Sequence, residues 1–160
     1  SSSTALPISV EKNMLPPGRT SAALVHAVDL FATVASVAQV DLNDPAVIPS
    51  GRTIDSKSFW PLLVNASLPG TRQHVFCEAF SVNNPQPGTA LEARHALRDA
   101  RYKLIRDGAL PGTGALQFYD LVNDPFEYNE LLSQPGGLSP AQQTAFANLS
   151  ATLDALLASP

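Results

Sequence analysis

Four short runs of alternating apolar and polar residues follow one another in the second half of the chain. They cover 75–80, 92–98, 101–106 and 116–120, with a tight turn at Asp99-Ala100 between the second and the third. A period of two is typical of strands that bury one face, and turn residues between neighbouring runs favour antiparallel pairing. The second half is therefore predicted to form an antiparallel sheet.

One helix is predicted after this sheet. It begins after Ser139, with Pro140 at its first position, where a missing N–H costs nothing. Its apolar stripe consists of Phe146, Leu149, Leu153, Leu156 and Leu157. A helix with one apolar stripe has to bury it, so we expect this helix to lie on one face of the sheet.

The strongest apolar run of the chain lies in the first half, at residues 21–40. Residues 23–28 are predicted to form a short buried extended segment, and Asp29 is predicted to cap a helix behind it. The apolar face of that helix consists of Leu30, Val34, Val37 and Ala38. One continuous helix from Ser21 fits the same spacing, so periodicity leaves both interpretations open.

The rest of the first half is short of regular patterns. Residues 6–10 alternate like a short strand, residues 41–58 are predicted to be a loop, and residues 59–64 form a short apolar anchor. Strand-like runs begin only after Arg72, so the chain changes character there. The second half is predicted to be a sheet with a helix on it, whereas the first half has the pattern of a piece of something larger.

Composition excludes several classes of protein. The chain has 160 residues, 10 Lys and Arg against 14 Asp and Glu, a formal charge of −4, and 44% apolar residues. This apolar content excludes a wholly disordered chain, and scattered cations make a poor surface for nucleic acid. Its single cysteine excludes an internal disulfide framework. No apolar run approaches the roughly 20 residues of a membrane-spanning helix.

The first residues, Ser1 to Thr4, lack the basic and apolar regions of a signal peptide. A parent protein that begins elsewhere could still be periplasmic or extracellular, so the compartment stays open.

The side chains that most often carry chemistry show no catalytic spacing. His26, His74 and His95 are far apart and form no zinc-binding pair, so we interpret them as isolated histidines. A zinc site assembled in space stays open as an alternative. Cys77 lies in the middle of a predicted strand, where a small buried apolar residue is expected rather than a nucleophile.

Three carboxylates, Asp120, Asp124 and Glu127, cluster after the last predicted strand. The segment that starts at Asp124-Pro125 has the form of a helix start, with Asp124 as N-cap and Glu127 at the third position. A capping box, in which Glu127 reaches back to the Asp124 N–H, is therefore predicted. The cluster is interpreted as structural, and the residues alone indicate no catalytic constellation.

Segments of the first half resemble motifs of a known family. Residues 28–35 read V-D-L-F-A-T-V-A and resemble the sulfatase segment V-D-L-x-P-T-L-L, with Ala32 in place of its proline. Residues 54–63 read I-D-S-K-S-F-W-P-L-L and resemble the D-G-x-S-x-x-P-L-L segment, with Ser56 in place of its glycine.

Segments of the second half resemble later motifs of the same family. Residues 72–80 are similar to its R-x-x-V-F-x-E strand, and residues 101–105 read R-Y-K-L-I as the family does. Residues 118–131 are similar to its L-Y-D-L-x-x-D-P-x-E-x-x-N-L signature. All five segments occur in the order of the family, so the chain resembles the C-terminal portion of a sulfatase, in the alkaline phosphatase superfamily.

The resemblance implies an α/β fold whose C-terminal half is α+β. Residues 1–70 would be the tail of the α/β catalytic domain, and residues 71–160 a subdomain with an antiparallel sheet and a packed C-terminal helix. It also implies that the complete enzyme uses calcium and a formylglycine made from the cysteine or serine of a C-x-P-S-R or C-x-A-x-R motif. Cys77 is followed by Glu78-Ala79-Phe80-Ser81, which does not match. No catalytic, cofactor-binding or metal-binding residue is therefore assigned in this chain.

Three functions follow as hypotheses. The leading one is the C-terminal part of a sulfatase-type hydrolase, with a structural or substrate-cleft role and no nucleophile of its own. The second is a stand-alone protein-interaction module, and the third is a metallohydrolase that uses the three histidines. The expected partner is the remainder of the catalytic domain, or a second copy bound through the apolar faces of 23–38 and 59–64; nucleic acid and a membrane span are not expected.

Overall fold

The structure, a computed structural model, describes residues 18–80, 93–108 and 114–158. The strand predicted at 6–10 lies outside these residues. The chain divides into two compact units, which we name the helical unit, Ser1–Arg72, and the sheet unit, Gln73–Pro160. No helix within the described ranges is long and apolar enough to cross a membrane.

Within residues 18–72, the helical unit contains two helices, α1 at Asp29–Val37 and α2 at Trp60–Val64. The apolar anchor predicted at 59–64 therefore forms a short helix. The segment 23–28 is half-buried or exposed rather than buried, and α1 begins at Asp29 rather than at Ser21. Val28 stands at the N-cap position and makes no side-chain cap. Asp29 is the first helical residue, so its predicted capping role was wrong.

The buried face of α1 is the small and polar one. Ala32, Thr33 and Ala35 are buried, whereas Leu30 and Val34, predicted to face inwards, are 57% and 65% exposed. The backbone N–H groups of Lys57 and Phe59 donate to α1 and fix this orientation, because their acceptors, Asp29 and Thr33, have to point at that segment. The apolar stripe consequently faces away from the unit.

The sheet unit begins with four antiparallel strands in chain order: β1 at Val75–Phe80, β2 at Ala93–Arg98, β3 at Tyr102–Asp107 and β4 at Leu116–Asp120. The predicted sheet is confirmed. Asp99 closes the β2–β3 turn, because its Oδ1 accepts the N–H groups of Arg101 and Tyr102 at 2.7 and 2.6 Å.

A third helix, α3 at Pro140–Ala158, lies on one face of this sheet. Its start is a capping box: the Ser139 N–H donates to Gln142 Oε1 at 2.8 Å, and the Gln142 N–H donates to Ser139 Oγ at 3.4 Å. The sheet with a packed C-terminal helix is as predicted. In the apolar stripe, Leu156 is an exception, because it is 42% exposed.

The core of the sheet unit is one row of side chains under α3. Leu97, Leu104 and Phe118 are register partners across β2, β3 and β4, and all three are fully buried. Leu149 and Leu153 of α3 pack on this row. Each such side chain contributes about 1.5–3 kcal/mol through the apolar area it removes from water.

Cys77 is exposed, so the prediction of a buried residue was wrong. It lies on β1, an outer strand of the sheet. Side chains alternate along a strand, and its neighbour Phe76 packs against the core under α3. Cys77 therefore projects from the opposite face.

Leu153 and Leu156 are a matched pair for testing this core. Leu153→Ala should lower the free energy of unfolding by about 3 kcal/mol, because it opens a cavity in a packed core. Leu156→Ala removes the same atoms from a site that is 42% exposed and lies outside the buried core, so it should cost less, about 1 kcal/mol. Urea unfolding followed by far-UV circular dichroism measures both, and equal midpoints for the two variants would contradict this core.

Candidate functional site

The Asp29 carboxylate is the centre of the helical unit. It is buried, and it accepts the backbone N–H groups of His26 at 2.9 Å and Lys57 at 2.8 Å. Arg72 adds a bidentate contact, with Nε at 2.6 Å from Oδ2 and Nη2 on Oδ1. The same Nη2 donates to the Asp55 carbonyl at 2.5 Å. The Asp29 carboxylate thus joins α1 to His26, Lys57 and Arg72.

These contacts determine the charge state of Asp29. Hydrogen bonds from Arg72 hold the pKa of Asp29 far below its usual range, and the two backbone N–H donors act in the same direction. Burial alone raises the pKa of a carboxyl group, but here it is outweighed. Asp29 is therefore ionised and paired, a state that suits a structural anchor and not a proton donor near neutral pH.

Hydroxyl groups continue this network along α1. Thr33 Oγ1 donates to the Asp29 carbonyl at 2.7 Å and accepts the Phe59 N–H at 3.0 Å. Ser56 Oγ accepts the Ala32 N–H at 2.8 Å and donates to the Val28 carbonyl at 2.6 Å. Residues of both sulfatase-like segments in the first half thus form the hydrogen bonds that hold α1 against the segment before α2.

The loop after β4, residues 121–131, is held by carboxylates. Asp120 receives Arg101 Nη2 at 2.8 Å and Asn123 Nδ2 at 2.8 Å, and these contacts lower its pKa despite burial. Glu130 accepts the N–H groups of Phe118, Leu132 and Ser133 at 2.7–2.9 Å. Burial raises the pKa of Glu130, but these backbone donors outweigh it and the net direction is downward.

The capping box predicted at Asp124 does not form. No helix follows Pro125; instead, Asp124 Oδ2 accepts the N–H of Asn129 at 2.7 Å. Glu127 adopts a positive φ of 60° and reaches Lys103 of β3 with both oxygens, at 2.8 and 2.9 Å. The ion pair with β3 replaces the backward hydrogen bond of a capping box. All three carboxylates of the cluster bind other groups of the sheet unit: Asp120 binds Arg101, Asp124 binds the Asn129 N–H and Glu127 binds Lys103.

A polar row crosses the sheet beside the apolar core row. Glu78, His95 and Arg106 are register partners on β1, β2 and β3, and Arg106 Nη1 donates to Asp154 of α3 at 2.5 Å. His95 is buried, 3.4 Å from Glu78 Oε1 through Nε2, and has no hydrogen-bond partner for Nδ1 among the described residues. The row ties α3 to the sheet through Arg106.

The structure does not gather the predicted chemical side chains into a site. His26 belongs to the helical unit, whereas His74 and His95 belong to the sheet unit. Across residues 18–80, 93–108 and 114–158, no group of three or more His, Cys, Asp or Glu side chains could hold a metal ion. Residues between 42 and 56 line a cavity of about 470 Å³ in the helical unit, and the cationic Arg52 is among them.

Two exposed apolar surfaces stand out among the described residues, and only the first lies in a segment that the sequence predicted as a contact surface. The first is the α1 face, which we define as Leu30, Phe31 and Val34. The second is the aromatic pair Phe126 and Tyr128, whose rings stack at 5.8 Å between centroids. The pair flanks Glu127 inside the sulfatase-like signature, at positions that the motif leaves unspecified, so the pattern carried no signal for it.

Comparison with known proteins identifies solved structures with a similar fold. No protein-family model matches the chain, and no curated protein matches it. A solved protein from Bacteroides thetaiotaomicron VPI-5482 described as a sulfatase is 23% identical, with a TM-score of 0.56 over 79% of this chain and 23% of that chain. The fold matches a sulfatase C-terminal subdomain.

Two further solved structures agree. One, solved with its substrate D-glucosamine-2-N,6-O-disulfate, is 18% identical with a TM-score of 0.55 and covers 81% of this chain and 24% of that chain. The other, a 2-O GAG sulfatase, is 22% identical with a TM-score of 0.55 over the same shares. The chain therefore spans about a quarter of the length of the solved structures that it matches.

Asp29→Asn tests the carboxylate anchor. It leaves Arg72 without its buried counter-charge and should lower the stability of the helical unit by about 3 kcal/mol. Trp60 is the single tryptophan of the chain and lies in this unit, so its fluorescence during urea unfolding reports the loss. Asp55→Asn, at an exposed carboxylate beside the same arginine, is the control and should change the midpoint little.

The low pKa of Asp29 predicts that the stability of the helical unit depends on pH. Because the pKa of Asp29 is lower in the folded chain than in the unfolded chain, its stabilisation is complete above the unfolded value of about 4 and is lost as pH falls through the range below it. The Asp29→Asn variant should lack this part of the acid sensitivity. Parallel acid titration curves for the parent chain and the variant would contradict the assignment.

Proposed function

We propose that this chain is the C-terminal portion of a sulfatase-type hydrolase of the alkaline phosphatase superfamily, whose complete form hydrolyses sulfuric esters. The supporting observation is the pattern of coverage: the fold likeness extends over 79–81% of this chain but only 23–24% of the solved proteins. Residues 1–70 would be the tail of the catalytic domain, and residues 71–160 its C-terminal subdomain.

The role of the chain in that enzyme would be structural, with one wall of the substrate cleft. The described residues do not fit the groups that such an enzyme needs, because they offer no calcium ligand set and Cys77 lies outside any formylglycine motif. Hard oxygen ligands and an activated nucleophile would come from another part of the parent protein.

The exposure of the α1 face supports the proposal that a partner covers it. Leu30, Phe31 and Val34 are each more than half exposed, although they form a stripe along one side of a helix. Contiguous exposed apolar surface usually marks an interface or a tendency to aggregate. In the proposed enzyme the remainder of the catalytic domain covers this face. In the alternative, a stand-alone interaction module, a second copy or another protein covers it.

The purified 160-residue chain should not hydrolyse 4-nitrophenyl sulfate in the presence of calcium. Positioning groups without a nucleophile and a charge stabiliser cannot lower the barrier. A parent reading frame that carries C-x-P-S-R or C-x-A-x-R upstream is expected to encode the activity, and it serves as the positive control. Calcium-dependent turnover by the chain alone would refute the proposed division of labour.

Val34→Lys tests whether the chain self-associates through the α1 face. Val34 and Val122 are 65% and 64% exposed, so Val122→Lys is a matched control on a different surface. We expect concentration-dependent light scattering and binding of a hydrophobic dye for the parent chain, a clear reduction of both for Val34→Lys, and little change for Val122→Lys. A monomeric parent chain that binds no dye at high concentration would argue against an unfilled interface.

A further inference from the structure

Two segments of the chain match the acceptor sequence for N-linked glycosylation, which is Asn-x-Ser or Asn-x-Thr with any residue but proline at x. They are Asn65-Ala66-Ser67 in the helical unit and Asn148-Leu149-Ser150 in the sheet unit. The transferase that attaches the glycan binds the amide of the first residue and the hydroxyl group of the third. A folded chain can therefore be modified only where both groups are accessible together.

The second segment is closed to the transferase by its place in α3. Its middle residue, Leu149, belongs to the core under α3, and the Ser150 hydroxyl oxygen is buried. Side chains two positions apart on a helix point about 200° away from each other, so the Asn148 amide and the Ser150 hydroxyl cannot be offered together. Presenting them would require α3 to unwind and Leu149 to leave the core.

The first segment lies at the surface of the helical unit, directly after α2. Asn65 and Ser67 are exposed, and the backbone of Asn65 is extended, with φ −139° and ψ 98°. The Ser67 N–H donates to Asn65 Oδ1 at 3.1 Å, so the side chain of the first residue is turned towards the third. Among the described residues, neither Asn65 Nδ2 nor Ser67 Oγ has a hydrogen-bond partner. Both groups that the transferase binds are therefore accessible.

Backbone groups hold this segment in place without using the Asn65 amide nitrogen or the Ser67 hydroxyl. The Asn65 N–H donates to the Pro61 carbonyl at 2.9 Å, and the Leu68 N–H donates to the Asn65 carbonyl at 3.2 Å. A glycan is bulky and needs a position at the surface. Because the Asn65 side chain is exposed and its amide nitrogen takes no part in these contacts, a glycan there is compatible with the fold of the helical unit.

We propose that Asn65 is an acceptor site for an N-linked glycan in the folded chain and that Asn148 is not. Asn65 Nδ2 attacks the anomeric carbon of an oligosaccharide that a lipid carries through a diphosphate. The new C–N bond forms as the bond from the anomeric carbon to the diphosphate oxygen breaks. The lipid diphosphate leaves, and the amide proton passes to a base of the transferase. This modification goes beyond the hydrolase proposal and does not depend on it.

The test treats the folded 160-residue chain with a lipid-linked oligosaccharide and a single-subunit oligosaccharyltransferase that accepts Asn-x-Ser, and it locates glycans by mass spectrometry of peptides. One glycan is expected, on Asn65. Asn65→Asp keeps an acceptor for the Ser67 N–H, and Ser67→Ala keeps that N–H, so both preserve the turn, and each should abolish the glycan. Ser67→Thr keeps a hydroxyl group and should retain the glycan. Asn148→Asp is the matched control and should leave the single glycan unchanged.

Synthetic peptides of residues 60–72 and 143–155 serve as positive controls, and both should be glycosylated, because no fold protects the second segment in a peptide. Three results would overturn the proposal. These are an unmodified Asn65 in the folded chain while its peptide reacts, a glycan on Asn148 of the folded chain at the level of Asn65, and a glycan that persists in Asn65→Asp. Unchanged circular dichroism spectra should verify that the variants fold.

Discussion

Carboxylates that accept backbone N–H groups hold the irregular parts of this molecule. Long segments without helix or strand leave many peptide groups without partners, and an unpaired buried peptide group is costly. Asp29 supplies acceptors to the helical unit, Asp99 to the β2–β3 turn, and Glu130 to the outer side of β4. The acidic residues that attract attention as possible catalytic groups are therefore occupied in building the fold.

The regular elements of the sheet unit were predictable because their signals are local. Alternation along each strand, the turn at Asp99 and the Ser139-Pro140 helix start depend on residues within a few positions of each other. The contacts around the carboxylates are different. Arg72 lies 43 residues from Asp29, and Lys103 lies 24 residues from Glu127. Local capping rules could not anticipate these long-range partners, which replaced the predicted caps at both positions.

The orientation of α1 is a second feature that the sequence pattern does not predict. Helical spacing identified an apolar stripe correctly, but it could not say which neighbour the stripe would meet. In the structure, Asp29 and Thr33 accept hydrogen bonds from the segment before α2, and these contacts turn the opposite side of the helix to the rest of the unit. Cys77 illustrates the same point on a strand, since alternation does not specify which face of an outer strand is covered. The aromatic pair had no pattern at all, because two exposed rings obey no period.

The contacts at β4 also affect where a further strand could pair with the sheet. The Phe118 N–H donates to the Glu130 carboxylate, and the Phe118 carbonyl accepts the Leu131 N–H, so the hydrogen-bonding groups that a fifth strand would need there are already used. β1 is the other outer strand. Strand addition by another chain is therefore obstructed at Phe118 of β4, and β1 carries the charged Glu78, a kind of residue that disfavours pairing between copies at an outer strand.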